Sequence, residues 1–172
     1  MTQPLKIGVL GSGPAGQTLA TGFLDKGHPV MIGSRDSTKL DGWLHHAGPG
    51  AQIGSFAETA EFGDVVLLSV LGSAAEDVVR LAGVENLTGK IVIDASDPLD
   101  FSSGQPGLFV GTTDSLGERV QRIVPGAYVV KALNIVQADV MINPRLTGDE
   151  PDMFIAGDSD EAKHTVTQLL RE

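Results

Sequence analysis

The chain contains no cysteine among its 172 residues. This absence excludes disulfide bonds, cysteine-ligated zinc and thiol catalysis. Aromatic residues are also scarce, at 5% of the sequence, while hydrophobic residues as a whole reach 41%. We therefore expect a mainly aliphatic core, of the kind that forms between parallel strands and the helices covering them. The length is that of one domain and is sufficient to bury such a core.

Positive charge is the second deficit. The 12 Lys and Arg residues stand against 22 Asp and Glu residues, which gives a formal net charge of −10. Because phosphate backbones bind basic surfaces, we expect no nucleic-acid partner. We also expect no membrane partner, since the sequence has neither a polybasic run nor an apolar run approaching about 18 residues. The N-terminal residues lack the pattern of a signal or transit peptide, and we expect a cytoplasmic protein.

Motifs of several catalytic classes are missing as well. The sequence has no G-x-S-x-G nucleophile motif and a single tyrosine, Tyr128, which falls inside a predicted strand. His45 and His46 are adjacent, so they do not form the i, i+4 pair of a helical metal site. We therefore predict neither a metal site nor a catalytic side chain. Lys131, in the second half of a predicted strand, is interpreted as a partly buried lysine beside a carboxylate or carbonyl rather than as a catalyst.

The most informative stretch is residues 5–35, in which two apolar runs flank a turn and a helical pattern. The first run, residues 6–10, leads directly into the glycine-rich turn Gly11-Ser12-Gly13-Pro14-Ala15-Gly16. A helical pattern to residue 26 and a second apolar run at residues 29–32 follow. This order of strand, glycine turn, helix and strand is typical of the first βαβ unit of a dinucleotide-binding fold.

Each glycine of the turn has a predicted role. Gly11 would form the tight turn off the strand, Gly13 would let the backbone approach a pyrophosphate, and Gly16 would let the helix pack closely on the strand. The phosphates would then lie on the open N–H groups of the helix N-terminus, where the helix dipole favours anions. The alternative is a plain strand-to-helix turn that holds no ligand.

The residues after the second strand indicate which dinucleotide binds. An NAD site usually carries Asp or Glu here to bind the ribose hydroxyls, whereas this chain has Ser34 and Arg35. A hydroxyl and a guanidinium suit the 2′-phosphate of NADP, and Lys39 could add positive charge. Asp36 is the counter-argument because it lies near the usual acidic position, but we interpret it as the start of the next helix. The pattern therefore favours NADP over NAD.

The rest of the chain continues to alternate predicted strands and helices. Strands are predicted at residues 51–54, 64–70, 90–94, 127–133 and 153–156. Helices are predicted at residues 36–47, 55–62, 74–82 and 160–170, and from a cap at Thr113 or Ser115 to about residue 124. Residues 99–111 form a predicted irregular loop, either a lid or a mobile surface loop, residues 136–142 fit either a strand or a helix, and residues 143–152 form a polar loop.

This alternation predicts an α/β fold. We expect a Rossmann-type, doubly wound, mostly parallel sheet with helices on both faces, formed by residues 1–172 as a single domain. In such a sheet, ligands bind at the carboxyl ends of the strands. Residues 70–73, which follow a buried strand, should therefore lie near the ribose or the nicotinamide, unless they form a plain strand-to-helix loop.

Five segments resemble, in order, the NADPH-dependent reductases of the deazaflavin coenzyme F420. They are KIGVLGSGPAGQTLA, VMIGSRD, IVIDASDP, VVKALNIV and DMFIAGDSDEAK. The chain is also similar to the nucleotide-binding domain of the six-transmembrane metalloreductases, which are relatives of that family. The GSR segment and the VVKALN segment are more specific than the glycine turn. The resemblance implies an oxidoreductase that transfers a hydride between NADPH and a deazaflavin, acting as a small homodimer.

The resemblance also assigns parts of NADP to parts of the chain. Ser12 would join Ser34 and Arg35 at the 2′-phosphate end. The pair Val70 and Leu71 would line the nicotinamide ribose, while the pair Asn134 and Ile135 would lie at the nicotinamide and deazaflavin face. The complete predicted cofactor site is Gly11, Ser12, Gly13, Pro14, Ala15, Gly16, Ser34, Arg35, Lys39, Val70, Leu71, Asn134 and Ile135.

The chain departs from the family pattern in three respects. The family often carries His at the position of Asn134 and Asn at the position of Asp97. Family members also typically continue beyond the helix predicted at residues 160–170, with a further strand and helices that help to form the second cofactor's pocket and the dimer. By this resemblance, we expect a domain without the family's C-terminal extension.

Hydride transfer between two ring systems requires alignment and exclusion of water more than acid–base side chains. The absence of a catalytic motif is therefore compatible with the activity that the resemblance implies. Two alternatives stay open. One is a sensor module that binds NADP without turnover, which the short C-terminus favours. The other is an NADPH-dependent reductase of flavins or ferric chelates.

Overall fold

A sheet of parallel strands forms the centre of the fold in the computed structural model, which describes residues 3–148 and 151–172. Apolar, largely β-branched runs form the central strands, and all four residues of the first and fourth strands are buried. The strands are β1 (Ile7–Leu10), β2 (Val30–Gly33), β3 (Ala51–Gly54), β4 (Val65–Leu68), β5 (Ile91–Asp94), β6 (Leu99–Asp100), β7 (Gly107–Leu108) and β8 (Tyr128–Lys131).

Helices connect the strands and cover both faces of the sheet. They are α1 (Pro14–Asp25), α2 (Asp41–Ala47), α3 (Phe56–Phe62), α4 (Gly72–Ala82), α5 (Val84–Leu87), α6 (Leu116–Ile123), α7 (Ala138–Ile142) and α8 (Asp160–Leu169), with 3-10 turns at Ser37–Leu40 and Pro144–Thr147. Among the described residues, no helix has the length and apolarity needed to cross a bilayer.

Successive residues of β1 point to opposite faces and so belong to two separate hydrophobic clusters. Val9 packs in the cluster that contains Leu19 of α1 and Val166 of α8. Its neighbour Leu10 packs in the cluster that contains residues of α3, α4 and α6, such as Val79. A fully buried aliphatic side chain of this kind contributes about 1.5–3 kcal/mol relative to an exposed one. Helix packing on both faces explains why the strands read as continuous apolar runs rather than as alternating ones.

Six parallel strands are hydrogen-bonded in the order β3-β2-β1-β4-β5-β8. The chain builds outward from β1 to β3, then crosses back and adds β4 on the other side of β1. In doubly wound sheets, this reversal opens a crevice at the carboxyl ends of the two central strands, here β1 and β4. The fold is therefore the predicted Rossmann-type α/β fold, and its ligand crevice is defined by the strand order.

The segment at residues 153–156 is not the strand that the sequence predicts. It contributes one antiparallel bridge, between Ala156 and Lys131, in which the N–H of each residue donates to the carbonyl of the other at 2.8 and 3.1 Å. The preceding strand also ends earlier than predicted, at Lys131, and the backbone of Leu133 adopts a φ of 68°. Few residues other than glycine adopt such a φ, and a strand cannot continue through it.

Three further segments, in the connections that follow β5 and β8, contain short elements. Residues 99–111 include a short antiparallel hairpin in which Leu99 pairs with Leu108, so the stretch is not wholly irregular. Residues 136–142, which fitted either a strand or a helix, contain α7. The predicted polar loop at residues 143–152 contains the 3-10 turn at Pro144–Thr147, and its residues 149–150 lie outside the described part of the chain.

Candidate functional site

The glycine turn after β1 is packed tightly on one side and open on the other. At Gly11, where φ is +132°, a Cβ atom would overlap the carbonyl oxygen of Ser69 at the end of β4. At Gly16, a Cβ atom would overlap the carbonyl oxygen of Gly11, so α1 packs directly on the turn. At Gly13, by contrast, a Cβ atom would have no neighbour within 4 Å. The turn therefore leaves space for a ligand at Gly13, as the dinucleotide motif predicts.

Two helices begin at this crevice without a side-chain cap. Helix α1 has Gly13 as its N-cap and Pro14 in its first turn, and α4 has Leu71 as its N-cap. Neither helix carries an acidic residue in its first turn. Within the described chain, the other two helices of eight or more residues, α6 and α8, are capped by Ser115 and Ser159. The uncapped ends leave backbone N–H groups and positive dipole ends that favour an anion.

The loop after β2 lies beside the glycine turn. The Oγ atoms of Ser34 and Ser12 are 2.9 Å apart and hydrogen-bonded, which ties the two loops together. Arg35 is exposed, and among the residues of the two described ranges its guanidinium has no ion-pair or hydrogen-bond partner. Lys39, in the following 3-10 turn, is also exposed. A hydroxyl pair and two cationic side chains at this end could hold a phosphate group.

The Asp36 carboxylate is hydrogen-bonded to the turn that follows it. Its carboxylate accepts hydrogen bonds from the backbone N–H of Thr38 at 3.2 Å and from the Thr38 hydroxyl at 2.6 Å. The hydroxyl contact contributes most to lowering the pKa of Asp36 below its ordinary value, and the Thr38 N–H and the charge of Lys39 lower this pKa further. Asp36 therefore caps the next helical segment, as the sequence predicts.

The loop after β4 joins the glycine turn to the loop after β5. Val70 is half-buried beside Gly11, and Leu71 is 81% exposed. Gly72, the first residue of α4, lies so close to Asp97 that a Cβ atom would overlap the Asp97 carbonyl oxygen. The uncapped end of α4 is thus in direct contact with the residues that follow β5.

Two polar links connect the ends of β5 and β8. The Lys131 ammonium lies 3.1 Å from Oδ2 of Asp94, which is fully buried, and also donates to the carbonyl of Ser96. The other oxygen of Asp94 accepts from the backbone N–H of Ser96 at 2.9 Å and from its hydroxyl at 2.6 Å. Lys131 is therefore the partly buried lysine beside a carboxylate that the sequence predicts, and it stabilises the loop after β5.

The second link joins the two residues that depart from the family pattern. The Asn134 side-chain amide donates to Oδ1 of Asp97 at 3.0 Å. Both side chains are half-buried, and the adjacent Ile135 is 54% exposed. The sequence shows each departure but does not show their contact, because the residues are 37 positions apart. The available signal was that each follows the end of a buried strand, and β5 and β8 are neighbours.

The predicted cofactor residues lie on four loops at the carboxyl ends of the strands. Arg35 and Lys39 follow β2 at one end, and Asn134 and Ile135 follow β8 at the other, with the glycine turn and the residue pair 70–71 between them. The strands β2 and β8 are four strand spacings apart, or roughly 19 Å. The described residues contain no group of three or more His, Cys, Asp or Glu side chains that could hold a metal ion.

Known proteins share this sequence and this fold. Residues 6–98 match the family described as NADP oxidoreductase, coenzyme F420-dependent. The F420-dependent NADP reductase of Methanothermobacter marburgensis is 31% identical over 182 residues, which cover 98% of this chain and 80% of that protein. The rat metalloreductase STEAP3 is 30% identical over 166 residues, which cover 96% of this chain but only 32% of the relative.

Solved structures agree with this assignment. A protein of Arthrobacter sp. FB24, proposed to be an F420-dependent NADP reductase, is 39% identical and superimposes with a TM-score of 0.92. That match covers 97% of this chain and 80% of the Arthrobacter chain. The sequence match and the structural similarity both extend over the parallel sheet and its glycine turn. The chain therefore belongs to the family of coenzyme F420-dependent NADP oxidoreductases, and it is an NADP-dependent oxidoreductase.

Proposed function

We propose that the protein transfers a hydride between NADPH and a deazaflavin acceptor of the coenzyme F420 class. The observation that carries the NADP half of this proposal is the convergence of two uncapped helix N-termini, those of α1 and α4, on an open glycine turn. The acceptor half is supported by relatives named F420-dependent NADP reductases, of which the marburgensis protein is 31% identical.

The residues at the phosphate end have distinct proposed roles. Backbone N–H groups of the turn Gly11-Ser12-Gly13-Pro14-Ala15-Gly16 hold the pyrophosphate at the start of α1, with the missing N–H of Pro14 costing nothing at that position. The hydroxyls of Ser12 and Ser34 and the exposed guanidinium of Arg35 bind the 2′-phosphate. Lys39 adds positive charge near this phosphate. The Asp36 carboxylate stays hydrogen-bonded to Thr38 and so does not bind the ribose hydroxyls.

The other end of the crevice would bind the rings. Val70 and Leu71 line the nicotinamide ribose, while Asn134 and Ile135 lie at the face where the nicotinamide meets the acceptor. The exposed apolar side chains of Leu71 and Ile135 would be covered by the two ring systems. Covering them removes water from between the rings and favours a stacked arrangement.

NADPH, when bound, would supply the hydride and become NADP⁺, and the acceptor ring would take up that hydride together with one proton from solvent. The contribution of this chain is to bind and orient the two ring systems and to exclude water from between them. The rigid contacts of Gly11 with Ser69 and of Gly72 with the Asp97 carbonyl fix the loops that carry the ring-binding residues. No side chain is required to remove a proton from a carbon atom, which agrees with the absence of an acid–base motif.

A second candidate acceptor is a flavin or a ferric chelate. The similarity to the rat metalloreductase favours it, although this chain spans about a third of that protein. The remaining alternative is a sensor module that binds NADP without turnover. Membership of an oxidoreductase family argues against this alternative. We further propose, from the resemblance alone, a homodimer and a single Rossmann domain over the whole chain.

A panel of acceptors at equal concentration tests the proposed reaction. Purified protein and NADPH are mixed separately with coenzyme F420, FMN and ferric citrate, and NADPH oxidation is followed by absorbance. We expect coenzyme F420 to be reduced at least about tenfold faster than the other two, a difference of about 1.4 kcal/mol in transition-state binding. Faster reduction of FMN or ferric citrate would replace the proposed acceptor with that one.

A further inference from the structure

The hydrogen-bonded side chains of Asp97 and Asn134 retain unused hydrogen-bonding capacity. Their contact uses one amide hydrogen of Asn134 and one carboxylate oxygen of Asp97, which leaves a second hydrogen and a second oxygen. Among the described residues, the only buried side-chain nitrogen or oxygen without a hydrogen bond is Oγ1 of Thr59. The remaining polar atoms of the pair are therefore open to solvent, and they present a donor and an acceptor side by side.

Exposed apolar residues precede α4 and follow each member of this polar pair along the chain. Leu71 at the start of α4 is 81% exposed, Ile135 next to Asn134 is 54% exposed, and Leu99 two residues after Asp97 is 45% exposed. The contact between Gly72 and the Asp97 carbonyl brings the start of α4, which Leu71 precedes, against the backbone of Asp97. A few polar groups among exposed apolar side chains are typical of a site for a flat ring with one polar edge.

We propose that Asp97 and Asn134 form a specificity element that recognises the imide edge of a pyrimidinedione ring in the hydride acceptor. Such an edge presents a ring N–H between two carbonyl groups. The Asp97 carboxylate accepts from the ring N–H, and the second amide hydrogen of Asn134 donates to the neighbouring carbonyl. The inference rests on the proposed function and deepens it, because it selects acceptors with an intact imide and gives ferric chelates no matching contact.

The pair is held in place by the link beneath it. Lys131 joins β8 to Asp94 and to the Ser96 carbonyl at the end of β5. Both Asp97 and Asn134 therefore extend from strand ends that are fixed relative to each other. A preorganised donor and acceptor lose little conformational freedom when the ring binds, so the contact contributes to affinity as well as to orientation.

Two acceptors that differ by one methyl group test the inference. Binding of 5-deazariboflavin and of its N3-methyl derivative to the full chain with NADP⁺ is measured by fluorescence titration. We expect the wild-type protein to bind the N3-methyl derivative at least about tenfold more weakly, the loss of one hydrogen bond to a charged group. Asp97→Asn keeps the shape of the side chain and replaces the accepting oxygen with a donor. Asp97→Asn should weaken the binding of 5-deazariboflavin by about tenfold and leave the binding of the N3-methyl derivative unchanged within about twofold.

Asp77→Asn is the matched control, because Asp77 is an exposed carboxylate on α4 that pairs with Arg80. This variant should retain the wild-type preference between the two acceptors. Equal wild-type binding of the two acceptors would overturn the inference, and so would unchanged binding of 5-deazariboflavin to Asp97→Asn. If NADPH reduces both acceptors equally well, the inference fails while the proposed function stands. If the protein neither binds nor reduces 5-deazariboflavin and does not reduce coenzyme F420, both fail.

Discussion

The hydroxyl oxygens of Ser12 and Ser34 lie 2.9 Å apart, and their hydrogen bond joins the glycine turn after β1 to the loop after β2. Ser34 is further fixed by Asp36, whose backbone N–H donates to the Ser34 hydroxyl at 3.2 Å. The residue between them, Arg35, is thus carried on a short, internally bonded loop. This arrangement orders the proposed phosphate-binding loop in the absence of a ligand, which would lower the ordering cost of binding.

Arg35→Ala should weaken the binding of NADPH much more than that of NADH. One charge-assisted hydrogen bond contributes about 1.5–3 kcal/mol, so we expect NADPH affinity to fall by about tenfold or more. Fluorescence titration with each nucleotide measures the two dissociation constants. Arg80→Ala, which removes an exposed arginine paired with Glu76 on α4, serves as control and should leave both unchanged. A loss of NADPH affinity under about threefold would mean that Arg35 does not bind the 2′-phosphate.

Gly13→Ala should weaken NADPH binding with little effect on the stability of the fold. The backbone of Gly13 has a φ of −72°, which alanine adopts, and the added methyl group would meet no neighbour within 4 Å. We therefore expect a change in unfolding free energy under about 1 kcal/mol. The methyl group would nevertheless occupy the space proposed for the pyrophosphate, so NADPH affinity should fall by about tenfold or more.

Gly11→Ala is the matched comparison for Gly13→Ala. At Gly11, φ is +132° and the methyl group would overlap the Ser69 carbonyl oxygen, so this substitution should destabilise the fold by several kcal/mol, on the order of 2–4. Urea denaturation compares the two variants. Equal stability of the two variants, or undiminished NADPH binding by Gly13→Ala, would contradict the roles given to these glycines.

Lys131→Met should destabilise the fold because it leaves the fully buried Asp94 carboxylate without its cation. Breaking a buried ion pair costs about 3–5 kcal/mol, and we expect the lower end since Ser96 still donates two hydrogen bonds to Asp94. The free energy of unfolding in urea measures the cost. The double substitution Lys131→Met with Asp94→Asn removes the buried charge and should recover part of the loss. A cost under about 1 kcal/mol would show that the pair is not a structural link.

Stability should fall in acid as Asp114 is protonated. The hydrogen bond from Arg119 contributes most to lowering the pKa of Asp114 below its ordinary value of 3.8, followed by the one from Arg122. The unfolded chain therefore binds a proton more readily, so the stabilisation is present above the ordinary pKa and is lost as the pH falls through the lowered pKa.

Urea denaturation from neutral pH down to about pH 3 measures this loss. Asp114→Asn should show a shallower decline below about pH 4 than the wild-type protein, because its side chain does not titrate. Identical acid profiles of the two proteins would mean that the contacts of Asp114 with the arginines do not contribute to stability.

The regular part of the fold could be predicted because local signals and burial agree. The Ser55 cap of α3, for example, forms the reciprocal capping box with Glu58 that the sequence allows. The missed hairpin of β6 and β7 has only two residues per strand, too few for an alternating pattern to be visible. The predicted strand at residues 153–156 has suitable residue types, but only Ala156 meets a partner strand.

The sequence predicts which loops form the candidate site but not the side-chain contacts between them. The loops after β1 and β2 carry motifs, the loop after β4 is identified only because it follows a buried apolar run, and the strand order brings all three together at the carboxyl ends of the strands. The contact of Asn134 with Asp97 depends on the pairing of β5 with β8 and on the unusual backbone of Leu133, at φ 68°. Neither feature has a local sequence signal, so the polar pair became visible only in three dimensions.

The most direct test of the proposed function is the absorbance of NADPH mixed with oxidised coenzyme F420 and a catalytic amount of the purified protein. We predict that the nicotinamide and deazaflavin bands decline together, one equivalent each, at a rate proportional to protein concentration. Fluorescence titration of NADPH is carried out on the same preparation. Binding of NADPH without any decline of the deazaflavin band would contradict the account and assign the hydride to another acceptor.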